Sequence, residues 1–308
     1  MGCILCPRNC NADRNSGKMG YCKMDNRIFA ARAALHMWEE PVISGKNGSG
    51  AIFFSGCPLG CVYCQNHSIA IGKSGKEISI ERLVEIFFEL KEKGANNINL
   101  VTPTHYIPQI REALIRAKKE NLNLPIIYNT GSYEKAEVLK LLEGLVDVYL
   151  PDLKYMSAQL SQRYSNTSDY FFTAAAAIKE MFRQVGMLVF YREGEYLQNI
   201  EYQEEETVLI KKGVIIRHLV LPEATEDSKN IVKYIYDTYG NNVFISILNQ
   251  YTPVNQLDKY PELMRKVTEK EYEEVVDYAV EIGVERGFIQ EGDTAKESFI
   301  PQFDNEGI

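Results

Sequence analysis

The spacing of apolar residues changes period repeatedly along the chain. AIFFSG (51–56) is a short, nearly unbroken apolar run, as expected for a strand covered on both faces. SIERLVEIFFELKEKG (79–94) then sets Ile80, Leu83, Val84, Phe87, Phe88 and Leu90 at helical spacing, with Ser79 as the N-cap and Gly94 as the stop. NINLVT (97–102) returns to a strand pattern. The alternation continues with a helix near 106–120, the strand PIIYNT (125–130), a helix near 133–142 and the strand VDVYLP (146–151). A helix near 169–184 precedes the strand GVIIRHLVLP (213–222), a helix near 226–239 and the strand VFISIL (243–248). A last helix begins at Thr268, where the hydroxyl and Glu271 read as a capping box, and ends before Gly283. Strand and helix in strict alternation predict a parallel sheet. Right-handed crossovers would curl about six such units into an α/β fold, a partial (β/α)6 barrel with its functional residues at the C-terminal strand ends.

Polar and thiol groups gather at those predicted strand ends. The first strand leads into Cys57, Cys61 and Cys64, the second into TPTH (102–105), the third into NTGSY (129–133) and the fourth into PDLKY (151–155). The fifth carries Arg217 and His218, and the last ends at NQYTP (249–253). Taken singly, Asn129 or Asp152 reads equally well as a capping or turn residue. Taken together, the strand ends predict one mouth lined by chemistry. For His218, His105 and His36 a packed or hydrogen-bonded role is the better reading.

With 308 residues, 45% hydrophobic and 25% charged, the chain is long enough for one large domain with a small appendage. The 34 basic against 42 acidic residues give a formal charge of -8, which argues against a general nucleic-acid or membrane surface. No apolar run approaches the ~20 residues of a spanning helix. The opening MGCILCPRNC lacks the basic and apolar regions of a signal peptide, and Cys6 stands where a myristoylation signal wants Ser or Thr. A cytoplasmic location is expected.

In a reducing compartment, seven cysteines read as metal ligands or catalysts rather than disulfides. Cys3, Cys6, Cys10 and Cys22 form one group and Cys57, Cys61 and Cys64 a second. Thiolates favour zinc or iron–sulfur clusters. In the second group, either His67 supplies a fourth zinc ligand or a four-iron cluster keeps one iron open. The first group, CxxCPxxC followed by Cys22, suffices for a second cluster or a tetrahedral zinc, with Gly17 and Gly20 letting the backbone turn back.

CPLGCVYC is CxxxCxxC with an aromatic, Tyr63, directly before the last cysteine, and in this strand-to-helix setting it resembles the signature of the radical S-adenosylmethionine superfamily. HMWEEPVISGKNGSGAIFFSGCPLGCVYCQN, NLVTPTHY, YNTGSY, LPDLKY, AIKEMFRQVG and IRHLVLP resemble the subgroup related to the pyruvate formate-lyase activating enzyme, across most of residues 3–290. The resemblance implies a [4Fe-4S] cluster on Cys57, Cys61 and Cys64, with S-adenosyl-L-methionine chelating the remaining iron through its amino and carboxylate groups. It implies reductive cleavage to a 5'-deoxyadenosyl radical that takes hydrogen from a substrate. By position, Tyr63, Thr102, Thr104 and His105 would lie beside the cofactor, with TPTH standing where many relatives have Gly-Gly-Glu. Asn129 and Thr130 stand where the activating enzymes have an Asp-Thr-Asn-Gly run, whose Asp, with a second from the Asp-x-Lys segment kept here as Asp152 and Lys154, lies near a monovalent cation in those relatives. Asn129 removes one charge from that pair. Arg217 is a candidate carboxylate clamp and Lys154 a second.

The implied partners are a protein or peptide substrate and an electron donor such as flavodoxin or ferredoxin. A small-molecule substrate is the alternative, and a zinc-binding structural protein a distant one. Activases with additional clusters carry them in an insert after the radical motif, where this chain has no cysteine. The expected organisation is an N-terminal four-cysteine segment (1–48), the barrel (49–290) and a tail (291–308). The polar stretch 190–212 reads as a solvated hairpin or a substrate-docking element.

Overall fold

In a computed structural model the described residues are 2–192, 200, 208–253, 257–290 and 301–308. Most of the 190–212 stretch, and residues 291–300 of the tail, lie outside them. Strands are β1 (Ile28–His36), β2 (Ser49–Phe54), β3 (Lys76–Ile78), β4 (Ile98–Val101), β5 (Ile126–Thr130), β6 (Val148–Pro151), β7 (Val189–Arg192), β8 (Val208–Leu219), β9 (Phe244–Leu248) and β10 (Gly287–Ile289). They pair in the order β10-β9-β8-β6-β5-β4-β2-β1-β3, with β7 hydrogen-bonded to β8 off this path. From β2 through β10 the neighbours along the path are parallel, and β1 adds an antiparallel edge that pairs with both β2 and β3. The path does not close, so the barrel is partial, as the alternating pattern predicts.

Strands β2, β4, β5, β6 and β9 are buried along their whole length, which is why they read as apolar runs rather than as alternation. Helices Ile80–Glu92, Ile107–Lys119, Tyr170–Val185, Thr225–Tyr239 and Glu269–Glu281 cover them and match the predicted helices within a residue or two at each end. The Ser79 hydroxyl accepts from the Arg82 N–H, and Thr268 with Glu271 forms the full capping box. The predicted helix 133–142 is shorter, one α-turn at Ala136–Leu139 followed by a 3-10 turn at Lys140–Leu142.

Several elements escape the sequence pattern, among them β1, β10 and one helix, besides the short β3 and β7 and the one-turn helices Pro41–Ser44 and His67–Ala70. β1, IFAARAALH, is rich in alanine and carries no β-branched run, so nothing local marks it as a strand; pairing with β2 does. It falls within the stretch assigned above to the N-terminal segment. β10 has only three residues. The helix Ala158–Ser165 follows β6 behind a Ser157 cap. The end of the chain returns to β1: Ala33 N–H donates to the Glu306 carbonyl at 2.8 Å, Asn305 N–H to that of Ala31 at 3.0 Å, and Phe303 packs edge-on to Phe53.

The N-terminal segment is built onto the barrel. Cys22 and Met24 belong to the same apolar core as the strands and helices. At Gly56, just past β2, a Cβ would lie 2.7 Å from the Cys22 carbonyl oxygen and 2.9 Å from His105 Nε2, and φ is +89°. Gly56→Ala is therefore expected to lower stability by more than about 1 kcal/mol, read from urea unfolding against wild type. Unchanged unfolding would contradict this packing.

Candidate active site

β2 delivers the chain to Ser55 and Gly56, and the three thiols follow. Gly56 and Gly60 both take left-handed backbone angles, so the loop doubles back over the end of the sheet. Cys61 is buried and Cys57 and Cys64 are half-buried. Burial pushes the Cys57 thiol up to about 11 and the Cys64 thiol up to about 12, and the neighbouring cysteines add to the cost of a second negative charge. Thiols in that range are neutral near pH 7 and poor nucleophiles. A metal centre supplies the positive charge that ionises them, so burial and donor type fit ligands of an iron–sulfur cluster. Among the described residues no three His, Cys, Asp or Glu side chains are arranged to hold a single metal ion. His67 starts the short helix His67–Ala70 and does not line the cavity described below.

Hydroxyls support the loop from beneath. Ser165 Oγ donates to Cys61 Sγ at 3.1 Å, Tyr155 meets Ser165 Oγ at 2.9 Å, and the Tyr155 hydroxyl donates to that of Tyr63 at 2.7 Å. The Tyr63 ring is buried and packs edge-on to Tyr155, Tyr164 and Tyr251. The aromatic before the last cysteine is thus the centre of a tyrosine cluster that walls the loop from water.

A cavity of about 480 Å³ opens over this loop. Every candidate residue named above for the cofactor or the second cysteine group lines it, with the exception of His105. His105 Nε2 is 2.8 Å from the Ser55 carbonyl oxygen and the ring is buried against Tyr106. The packed, hydrogen-bonded reading of His105 is the one observed; its place beside the cofactor is corrected, because the ring is held by the Ser55 carbonyl oxygen and does not line the cavity. Burial pushes its pKa down to about 3, so it is neutral. Thr102, which does line the cavity, holds φ at +58°, a left-handed conformation costly for a β-branched residue and of the kind found at functional sites.

Two further groups appear that the sequence did not single out. Glu134 is fully buried, and its Oε1 accepts from Thr130 Oγ1 at 2.6 Å, Thr104 Oγ1 at 2.7 Å and the Tyr128 hydroxyl at 3.1 Å. It ties together the ends of β4 and β5, while burial raises its pKa. The second group is Glu39 and Glu40. Arg217 donates through Nε to Asp152 Oδ1 (2.8 Å), through Nη2 to Asn129 Oδ1 (2.7 Å) and through Nη1 to Glu39 Oε2 (3.2 Å). Lys154 Nζ reaches Asp152 Oδ2 at 2.7 Å. Asp152, despite burial that would raise its pKa, is held below the usual range by these two cations. Arg217, read above as a carboxylate clamp, already clamps two of the protein's own carboxylates. The only local signal for Glu39 and Glu40 is a pair of adjacent acids in the apolar run HMWEEPVI.

The N-terminal cysteines approach one another. A Cβ on Gly20 would sit 3.3 Å from Cys10 Sγ and 3.4 Å from Cys22 Sγ. Burial pushes Cys6 up to about 12, with Cys22 and Cys3 adding to the effect. Arginines stitch this segment to the barrel. Arg8 Nε donates to the Pro58 carbonyl (2.8 Å), Nη2 to those of Leu59 (3.0 Å) and Ser165 (2.7 Å), and Nη1 to that of Asn166 (2.6 Å). Its guanidinium stacks 4.0 Å over Tyr21. Arg14, buried, donates to the carbonyls of Asp25 and His105.

Comparison with known proteins places these residues in context. The Radical SAM superfamily matches residues 51–235. An uncharacterized protein of Methanocaldococcus jannaschii is 28% identical over 287 residues, covering 90% of this chain and 74% of its own length. Among solved structures, Streptococcus suis SuiB bound to S-adenosylmethionine aligns with a TM-score of 0.51 at 14% identity, over 78% of this chain and 49% of that one. SuiB bound to the precursor peptide SuiA gives 0.50 at 14%, over 78% and 47%. HydG, a maturase of the [FeFe]-hydrogenase, gives 0.50 at 16%, over 79% and 52%. The chain spans about half the length of these solved structures. At such identities they speak to the fold, and the fold they share is this one.

Arg8 joins the cysteine loop to the helix end at Ser165 and Asn166. Arg8→Ala is expected to cost at least about 2 kcal/mol by leaving those carbonyls without their charged donor, measured by urea unfolding. Arg8→Lys should recover only part, because a single ammonium cannot span both segments. Equal stability of the three proteins would show that the strap is incidental.

Proposed function

The chain belongs to the Radical SAM superfamily, and from that premise we propose that it is an activating-enzyme-like radical enzyme acting on a protein or peptide. Cys57, Cys61 and Cys64 would hold a [4Fe-4S] cluster, with S-adenosyl-L-methionine in the cavity above them. When bound, these cofactors supply an electron and a 5'-deoxyadenosyl radical that removes a hydrogen atom from the substrate. The observation that carries the reading is the convergence of three thiols, one buried and two half-buried, without a fourth, on the cavity that holds the network of Arg217, Asp152 and Lys154.

The chain's own residues have separable tasks. The Tyr63, Tyr155, Tyr164 and Tyr251 cluster excludes water beneath the loop. Ser165, donating to Cys61 Sγ, adjusts the electron density on that sulfur, and hydrogen bonds to cluster sulfurs raise reduction potentials. Thr102, Thr104, Asn129, Thr130, Asp152, Lys154 and Arg217 form the wall the cofactor would meet. Their mutual bonds fix that wall in advance, which lowers the ordering cost of binding.

A cavity of about 480 Å³ suits one ligand of cofactor size. With the cofactor seated, the space left favours a side chain or backbone presented by a larger molecule over a whole second small molecule. SuiB, which shares the fold, is solved bound to the precursor peptide SuiA. Flavodoxin or ferredoxin is the electron donor we infer, and an EC 1.97.1 type activity the class. We assign the N-terminal cysteines to a second metal centre, either a cluster or zinc. The boundaries 1–48, 49–290 and 291–308 describe this division.

The test is anaerobic reconstitution with iron and sulfide, metal analysis, and assay of 5'-deoxyadenosine with a strong reductant. Cys61→Ala is expected to lose about four irons and all deoxyadenosine formation. Cys10→Ala should lose only the second centre, iron or zinc, and retain cleavage. Full cleavage by the Cys61 variant would end the radical reading.

A further inference from the structure

The cavity wall opposite in character to the thiols has a surplus of acceptors. Arg217 and Lys154 are balanced by Asp152 and Glu39, their ion-pair partners. Glu40 is a third carboxylate on the same wall, and among the described residues no ion pair reaches it. It is 7% exposed, and its Oε2 has no hydrogen-bond partner. Asn99 is in the same position: its Nδ2 donates to Glu39 Oε1 at 3.0 Å, while its buried Oδ1 has no partner. Both orphaned atoms at this end are acceptors. Ser246 donates to the Glu40 carboxyl, so Oε2 alone is left over, and a buried polar atom without a partner is unfavourable enough to point to a missing donor. Burial raises the Glu40 pKa, with Arg217 opposing and Glu39 adding to it, so a cationic partner would favour its charged form.

Trp38, two residues before Glu40, lines the same cavity and is 65% exposed, so part of the indole meets solvent. An aromatic face outside and a carboxylate inside form a graded path for a cationic group.

We propose that Trp38 and Glu40 recognise a cationic, hydrogen-bond-donating group of the substrate, an ammonium or guanidinium such as a lysine or arginine side chain of a peptide. This rests on the reading of the cavity as the radical enzyme's substrate site and adds the substrate's charge to it. The bound cation donates to Glu40 Oε2, and its charge offsets that of the Glu40 carboxylate, which has no ion-pair partner among the described residues.

The experiment uses the full chain, reconstituted and saturated with S-adenosylmethionine, and three blocked tripeptide probes that differ in one central side chain: lysine, norleucine or glutamate. Calorimetry is expected to show the lysine probe binding at least about tenfold more tightly than the norleucine probe, with the glutamate probe weakest. Glu40→Gln should bring lysine and norleucine to near equality, and Trp38→Ala should weaken lysine several-fold. Should Glu40→Gln fail to fold, Glu40→Asp and Trp38→Ala carry the same comparison. No preference for lysine in wild type would overturn the proposal, as would a Glu40→Gln variant whose principal loss is affinity for S-adenosylmethionine, because Glu40 would then serve the cofactor. Deoxyadenosine formation by wild type without any peptide reports on the radical reading separately.

Discussion

Cys57 and Cys64, half-buried at the end of one parallel strand, resist ionising unaided, and the rest of the site is arranged around that constraint. Burial raises Cys57 and Cys64 well above the usual thiol range, so the loop has no use as a surface nucleophile. It is suited to a group that brings its own positive charge. The strand end, the left-handed Gly56 and Gly60 and the tyrosine cluster beneath together hold the sulfurs on one side of a cavity. The other wall is ionic. Arg217 and Lys154 converge on Asp152, and Arg217 also reaches Glu39 and Asn129, drawing residues from β5, β8 and the two loops after β1 and β6 into one rigid array.

The N-terminal segment is part of this machinery. Arg8 grips the carbonyls of Pro58 and Leu59 within the cysteine loop, and Arg14 grips that of His105, whose ring in turn holds Ser55. Folding of the segment that carries the first four cysteines positions these two arginines. The two cysteine groups, separate in sequence, thus share one scaffold, with Cys22 packed against Gly56 directly before Cys57.

The barrel was legible because its central strands are buried on both faces and its helices are amphipathic and capped at Ser79 and Thr268. The cysteine loop was legible from spacing alone. β1 was hidden because alanine-rich sequence has no strand signature and the strand exists through its pairing with β2. Glu39, Glu40 and Glu134 were hidden for a related reason: an acid reads as solvated until topology buries it, and Glu134 acquires its role from Thr104 and Thr130 on other strand ends. Arg8 bonds to carbonyls as far along the chain as Asn166, contacts no local pattern can announce. His105 was assigned to the cofactor from its place in TPTH, but the 3-10 turn Thr104–Tyr106 rotates it toward Ser55.

The central claim is that the three cysteines hold a cluster with one iron open to S-adenosylmethionine. The most direct measurement is the electron paramagnetic resonance spectrum of the reduced, reconstituted protein before and after the cofactor is added, with Cys57→Ser as the reference that lacks this cluster. The account predicts a cluster signal, absent from the reference, whose shape changes when S-adenosylmethionine binds. A wild-type spectrum that matches the reference, or one indifferent to the cofactor, would contradict it.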